Sequence, residues 1–558
     1  MRGIAARFVT LLGLATLALV ATASSGTAAG SVHARILGVV PHGAQRAPAT
    51  AHLLSKAVRG AAGPRALTFD PRYESLINQY FTDVAADSGK TTNVYSVATQ
   101  YNDGSGPVQY RSTFGGSYVD HDPLPANGCD DAHNGLHDAY CLTDQQLQIE
   151  IQAAMDAKGW QHGLDHVFFL MTPNGVGSCF DVSGNQCSTN TFCAYHSAFG
   201  ISPADAVIYA NEPYMGPLPK GDCTATEQGF PNNDVDAETT INTISHEHNE
   251  AITDPLGDAW IADDGPNGTP GDENGDLCAY GFGTPLGGTL GINAYNQVIN
   301  THHYELQQEW SNADIKAGKG CTQFLHDPNP TAPTPQGASG PLVYQPQHGP
   351  VMRTNTTYAI YWLPTPGTTT PPAVTGTAAV NKTLKTSVGA WTGAPTAFRY
   401  QWQRCSASGT GCVDIPGATA AAYKLTTADA GHSVLSTVAA SNVNGASQAV
   451  ASATTSVVVA VPTAKKAPHI SGRTRVGRKL SGSHGSWTSS PKSYRLQWLR
   501  CNGHGARCRS IHHATHARYK LTKSDAKHRL RLRVTATNAA GSRKAVSKPS
   551  ARVPAPKH

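Results

Sequence analysis

The chain has 558 residues, 12 cysteines and a formal net charge of +5, a length that several domains of roughly 100–200 residues each would share. The net charge hides an asymmetry: residues 465–558 hold 23 of the 43 Lys and Arg and a single acid, Asp525, so the remainder is acidic. Beyond the N-terminus no apolar run approaches the ~18 residues of a membrane span, and the absence of a Gly-x-Ser-x-Gly elbow and of a Walker loop argues against an α/β-hydrolase or a P-loop nucleotide site.

Residues 1–29 read as a signal peptide. Arg2 and Arg7 precede the apolar run Phe8 to Val20, and Ala21-Thr22-Ala23 or Ala28-Ala29 supplies small residues for cleavage. Residues 30–66, rich in Ala, Gly, His and Arg, read as a lead-in or pro-segment. Export makes disulfides the default for an even cysteine count, and the eight cysteines from Cys129 to Cys321 are expected to pair among themselves.

A denser, aromatic-containing domain is expected over 67–326. Within it, Thr243 to Asp254 reads as a helix stopped by Pro255, because proline disfavours helix in the residue before it. On that helix His246 and Glu250 are one turn apart and share a face, so an imidazole nitrogen and a carboxylate oxygen can meet one zinc ion. Glu247 takes the place of the general base in His-Glu-x-x-His proteases. His248 points about 200° away from His246 and is not expected to share that ion. The spacing here is His-Glu-x-x-Glu, a looser pattern, and an exposed polar helix accounts for it equally well. Downstream, Asp263 to Cys278 supplies further carboxylates, with Glu273 or Asp276 as a third ligand. A calcium loop built from Asp263, Asp264, Asn267, Asp272 and Asp276 competes with that reading, although the spacing is not that of an EF-hand. His196, set among apolar and aromatic residues, reads as a core histidine, and His302-His303 as surface.

The segments "FFLMTPNGVGSC", "FCAYHSAF", "ISHEHNEAITDPLGDAW", "ENGDLC" and "YELQQEWSN" together resemble the secreted phosphate-induced (EXORDIUM-like) family and its bacterial relatives over about residues 67–324. The resemblance implies a secreted or wall-associated protein with a zincin-like core. Its motif blocks fall on His246, Glu247, Glu250, Asp254-Pro255, Trp260, Glu273, Asp276 and Cys278. One departure stands out. The strand that usually opens the family's domain is matched here by His348 to Trp362, after the domain, so Tyr358 to Trp362 is expected to fold back into the same sheet.

Residues 327–370 read as a Pro-rich linker carrying one strand, 344–363. Two repeats follow, 371–460 and 467–554. Trp391/Trp487, Trp402/Trp498, Cys405/Cys501, Cys412/Cys508, Tyr423/Tyr519 and Asp429/Asp525 all recur at a spacing of 96 residues. Short alternating segments between turn residues mark each as an antiparallel sandwich. They resemble bacterial Ig-like modules, and each close cysteine pair is expected to staple a hairpin. The second, basic repeat points to anionic extracellular polymers as a partner, not to a specific nucleic acid.

The whole reads as a multidomain protein: an α+β, zincin-like domain followed by two all-β Ig-like sandwiches. The expected function is a secreted zinc-dependent hydrolase of peptide or wall-polymer substrates, with Glu247 catalytic and His246, Glu250, Glu273 and Asp276 at the metal. The alternative is a non-catalytic, wall-associated adhesion protein with a structural metal site.

Overall fold

A computed structural model describes residues 36–41 (backbone only), 67–129, 140–200, 202–215, 223, 229–262, 272–333, 340–345 and 349–555. The signal peptide, most of the lead-in, and the acidic stretch Asp263, Asp264 and Asn267 lie outside the described residues.

The N-terminal domain is built on a six-stranded mixed sheet. In chain order its strands are β1 (Ile36–Pro41), β2 (Ser112–Asp120), β3 (His166–Thr172), β4 (Phe192–Phe199), β5 (Val207–Pro213) and β6 (Asn355–Trp362), and their spatial order is β1-β4-β5-β3-β6-β2. The four strands from β5 to β2 run parallel, while β4 is antiparallel to both β1 and β5. Parallel strands need cover on both faces, and the period-2 alternation divides their side chains accordingly. Val167, Phe169, Met171, Ile208, Ala210, Ala359 and Tyr361 face a core shared with helices α1 (Tyr73–Ala86) and α3 (Val235–Thr253). Phe168, Leu170, Tyr209, Ile360 and Trp362 face the other core, with α2 (Asp144–Lys158).

The strand β6 lies C-terminal to the other strands of the sheet yet is inserted between β3 and the edge strand β2. Tyr358 pairs with Phe168 on one side and Gly116 on the other. Gly115 allows this close approach, since a Cβ there would stand 2.2 Å from the Tyr358 ring. More of residues 327–370 also belongs to the domain. Thr331 bridges Cys321, and Leu342–Tyr344 pairs with Trp260–Ala262.

Each C-terminal repeat is an antiparallel β-sandwich. Its central pair is β7 (Ala397–Cys405) with β8 (Ser433–Asn442) in the first, and β9 (Ser493–Cys501) with β10 (Arg529–Asn538) in the second. The 96-residue recurrence now has physical content. Trp402 and Trp498 are fully buried core plugs. Arg404 and Arg500 ion-pair with Asp429 and Asp525 at 2.7 Å, and Tyr423 and Tyr519 donate to the same carboxylates. Asn442 and Asn538 each donate to the segment entering their own module, at the carbonyls of Pro364 and Ala460. All 12 cysteines are paired: Cys129–Cys141, Cys179–Cys187, Cys193–Cys223, Cys278–Cys321, Cys405–Cys412 and Cys501–Cys508. Among the described residues no helix is long and apolar enough to cross a membrane.

Candidate metal centre

The site is organised by α3. The Asp234 side chain caps its N-terminus by accepting from Ala237 N at 3.0 Å, Asp236 and Glu238 sit in the first turn where the helix dipole favours anions, and the helix stops at Asp254 before Pro255. Its sequence is polar, yet every residue from Ala237 to Thr253 is buried. A buried polar group costs free energy unless it is partnered, so the partners of this helix say what it is for.

Most of its polar groups are satisfied by ordinary means. Thr243 donates to Glu212 at 2.6 Å, Asn242 accepts from Gln307 N at 2.8 Å, and Thr253 donates to Asn274 at 3.1 Å. His248 is held between Tyr95 at 3.0 Å and Asn355 at 3.1 Å. Burial pushes His248 down to about 4, so it is a neutral structural histidine facing away from His246.

The opposite face differs. His246 Nε2 is 2.9 Å from Glu250 Oε1 and 3.5 Å from Asp276 Oδ1. Asp276 arrives on a short 3-10 turn, Asp276–Cys278, pinned by the Cys278–Cys321 disulfide and by its own N–H donating to Glu250 Oε1 at 3.0 Å. Gly275 lets that turn press onto the helix: a Cβ there would stand 2.8 Å from Glu250 Oε1 and 2.9 Å from His246 Nδ1. On the other side of Glu250, His196 from β4 is 3.1 Å from Glu247 Oε2 and 3.6 Å from Glu250 Oε2 through Nδ1. Its Nε2 faces Glu273 Oε2 at 3.6 Å.

His196 is buried, as a core histidine would be, but its contacts are the carboxylates of α3, not apolar neighbours. Glu273 does not join His246; it backs His196, while Asp276 supplies the third group beside His246 and Glu250. Of the acids of the calcium-loop reading only Asp272 and Asp276 are described, and Asp276 converges with His246 and Glu250. His302 and His303 are exposed on a hairpin, with His302 paired to Asp83.

Electrostatics and unpaired atoms make the same point. Glu212 and Glu309 are also fully buried against this cluster, and burial pushes both well above the usual carboxylate range. Among the described residues the Lys and Arg ion pairs are Lys90–Asp87, Arg404–Asp429 and Arg500–Asp525, all elsewhere. Two imidazoles are therefore the positive groups that face this set of acids. Burial works to raise Glu250, but His246 and His196 outweigh it and hold it at about 2. Burial opposes charge on His196, but the Glu247 carboxylate hydrogen-bonded to it and the Glu250 carboxylate beside it outweigh that and bring it to about 9. Even so, His196 Nε2, His246 Nε2, Glu247 Oε1, Glu250 Oε2 and Glu273 Oε2 are buried without a hydrogen bond, their charge contacts aside. Ligand atoms ~2.1 Å from one ion lie roughly 3.0–3.5 Å from one another, which the observed 2.9 and 3.5 Å separations match. The donor set His246, Glu250 and Asp276 thus fits a transition metal such as zinc. The Gln307 amide lies against His246 Nδ1, with Nε2 at 2.6 Å; an outer partner of a ligating imidazole accepts from that nitrogen, a role open only to the carbonyl end of the amide, Oε1.

Ligation requires that protons leave. Burial, with Glu250 next, pushes Asp276 up to about 7. Burial opposes protonation of His246, but Glu250 and Asp276 outweigh it and hold it well above its ordinary value. Metal uptake must displace these protons, so affinity rises with pH. Zinc should bind roughly tenfold or more tightly at pH 8 than at pH 6, with proton release visible by calorimetry in buffers of different ionisation enthalpy. An affinity flat across that range would contradict the ligand assignment.

No family model matches the chain, and no curated protein matches it at a significant level. It is similar to solved structures of domains A168–A170 from titin (17% identity, 38% of this chain and 73% of that chain, TM-score 0.20). It is also similar to a two-domain fibronectin type III segment from chicken tenascin (19%, 33% and 98%, TM-score 0.16), and to the FN1–FN3 domains of chicken CNTN1 (15%, 34% and 67%, TM-score 0.19).

Proposed function

We propose that the chain is a secreted, zinc-dependent hydrolase of the peptidase type, with a zincin-like catalytic domain and two sandwich modules that attach it to an extracellular polymer. The observation that carries this reading is the convergence of His246, Glu250 and Asp276 on one buried point with Glu247 alongside. Six disulfides accord with an oxidising, extracellular setting. A zinc ion held there supplies Lewis acidity and eases deprotonation of water. Glu247 is the proton acceptor: Oε2 is held by His196, Oε1 has no partner, and burial raises its pKa toward the working range of a general base. The same carboxyl then passes the proton to the leaving amine. Asp276, with 16% of its side chain exposed, marks the side from which solvent and substrate enter.

Attachment falls to the second repeat. On β10, Arg529, Arg531 and Arg533 occupy alternate positions and hence one sheet face, where β8 has Ser433, Leu435 and Thr437. That stripe suits an acidic wall polymer or polysaccharide.

The second reading is an adhesion protein whose metal is structural. The complete burial of His246, Glu247 and Glu250 favours it, because structural sites are closed. One experiment separates the two. The metal-loaded chain is incubated with a peptide library, with and without chelator, beside Glu247→Gln. A hydrolase cleaves, stops when chelated, and loses about 10²–10⁴-fold in rate in Glu247→Gln while that variant keeps its metal. A wild-type chain loaded with one equivalent that cleaves nothing leaves the adhesion reading.

A further inference from the structure

We propose that the centre takes a second divalent cation, held by His196 Nδ1, Glu247 and Glu250, with Glu250 bridging the two ions. The groups that converge here form two triads, His246/Glu250/Asp276 and His196/Glu247/Glu250, which share Glu250 alone. The two histidines fall in different triads. The Glu250 carboxylate is already divided between them: Oε1 faces His246 at 2.9 Å and Oε2 faces His196 at 3.6 Å. Two-metal sites space their ions roughly 3.5–4 Å apart, a span that one carboxylate bridges.

The second triad meets the same tests as the first. Its separations of 3.1 and 3.6 Å are those of atoms sharing one ion at ~2.1 Å. Glu247 Oε1 and Glu250 Oε2 are buried and lack hydrogen-bond partners, so this is more than a cluster of acids. His196 is fully buried, and its far nitrogen faces Glu273 at 3.6 Å. A metal on Nδ1 requires the ring proton on Nε2, the nitrogen that faces the Glu273 carboxylate, and a carboxylate on that side is what orients a ligating imidazole. An imidazole with two carboxylates selects zinc, manganese, cobalt or iron over calcium or magnesium.

The consequence bears on the hydrolase reading, on which it rests for that point only. An ion on His196 takes up Glu247 and leaves no free base, so the second equivalent switches off what the first enables.

The test needs no turnover. The full chain is stripped, dialysed against Mn(II) at rising concentration, and read by elemental analysis and electron paramagnetic resonance. Wild type should bind one more equivalent than His196→Ala and show an exchange-coupled pair. His196→Ala should keep the isolated Mn(II) signal of the first site. His196→Gln, which keeps a polar side chain in the core, guards against misfolding, with circular dichroism as the control. Only isolated Mn(II) signals in wild type, or a coupled pair persisting in both variants, overturns the proposal. Failure of the hydrolase reading shows separately, as a protein that holds a single equivalent and cleaves nothing.

Discussion

A chain ending at residue 350 should not fold its N-terminal domain, whereas a chain ending at residue 370, without either sandwich, should. The difference is β6. It is hydrogen-bonded on both sides, parallel to β3 and to β2, and its removal leaves β2 without a neighbour in the sheet. Tyr358, Ile360, Tyr361 and Trp362 are all buried. At about 1.5–3 kcal/mol for each large apolar side chain, their loss removes roughly 6–12 kcal/mol, comparable with the ~5–15 kcal/mol by which a native domain is stable. Asn355 also holds His248 at the back of α3, so the helix that carries the site loses an anchor as well. Near-ultraviolet circular dichroism with a thermal melt distinguishes the two chains. A cooperative transition in the shorter chain would show that β6 is dispensable.

Glu250→Ala should abolish metal retention and destabilise the domain by about 3–5 kcal/mol, the cost of breaking a buried ion pair by removing one partner. Glu250 is the residue common to both triads, so its loss disarms each. It also leaves His246 and His196 without a carboxylate that raises both their pKa values, and frees Asp276 N, which donates to Glu250. Glu247→Gln, by contrast, leaves His246, Glu250 and Asp276 in place. Elemental analysis and urea melts of the two variants side by side provide the check. A Glu250→Ala protein that keeps its zinc and its midpoint would refute the role given to this carboxylate.

The repeats are legible in the sequence because each landmark depends on its own module: a Trp plug, an Arg–Asp pair and a close cysteine pair recur wherever the sandwich recurs. The return of Tyr358 to Trp362 is expected from the resemblance alone, since the similar family opens its domain with such a strand. The pairing of His246 with Glu250 follows from the period of one helix, and so does the exclusion of His248. Burial of α3 is not legible, since a helix of Thr, Asn, Ser, His and Glu carries the composition of a solvated one, and only the elements packed around it reverse that. His196 escapes sequence reasoning for the same reason. Its neighbours in sequence are apolar, whereas its contacts come from a helix some fifty residues further on, brought across β4 and β5. Glu273 and Asp276, three positions apart on a tight turn, go to different histidines, and the spacing alone does not say which goes where. Gly275 carries a usable signal, because a glycine between two candidate ligands often marks backbone pressed against a site.

The most direct test is the metal content of the purified full-length protein after dialysis against zinc and removal of the excess. At least one tightly held equivalent per chain is expected, lost on chelation together with a fall in melting temperature, and absent from Glu250→Ala. A chain that holds no metal at pH 8, and melts at the same temperature with and without zinc, would contradict the account at its centre.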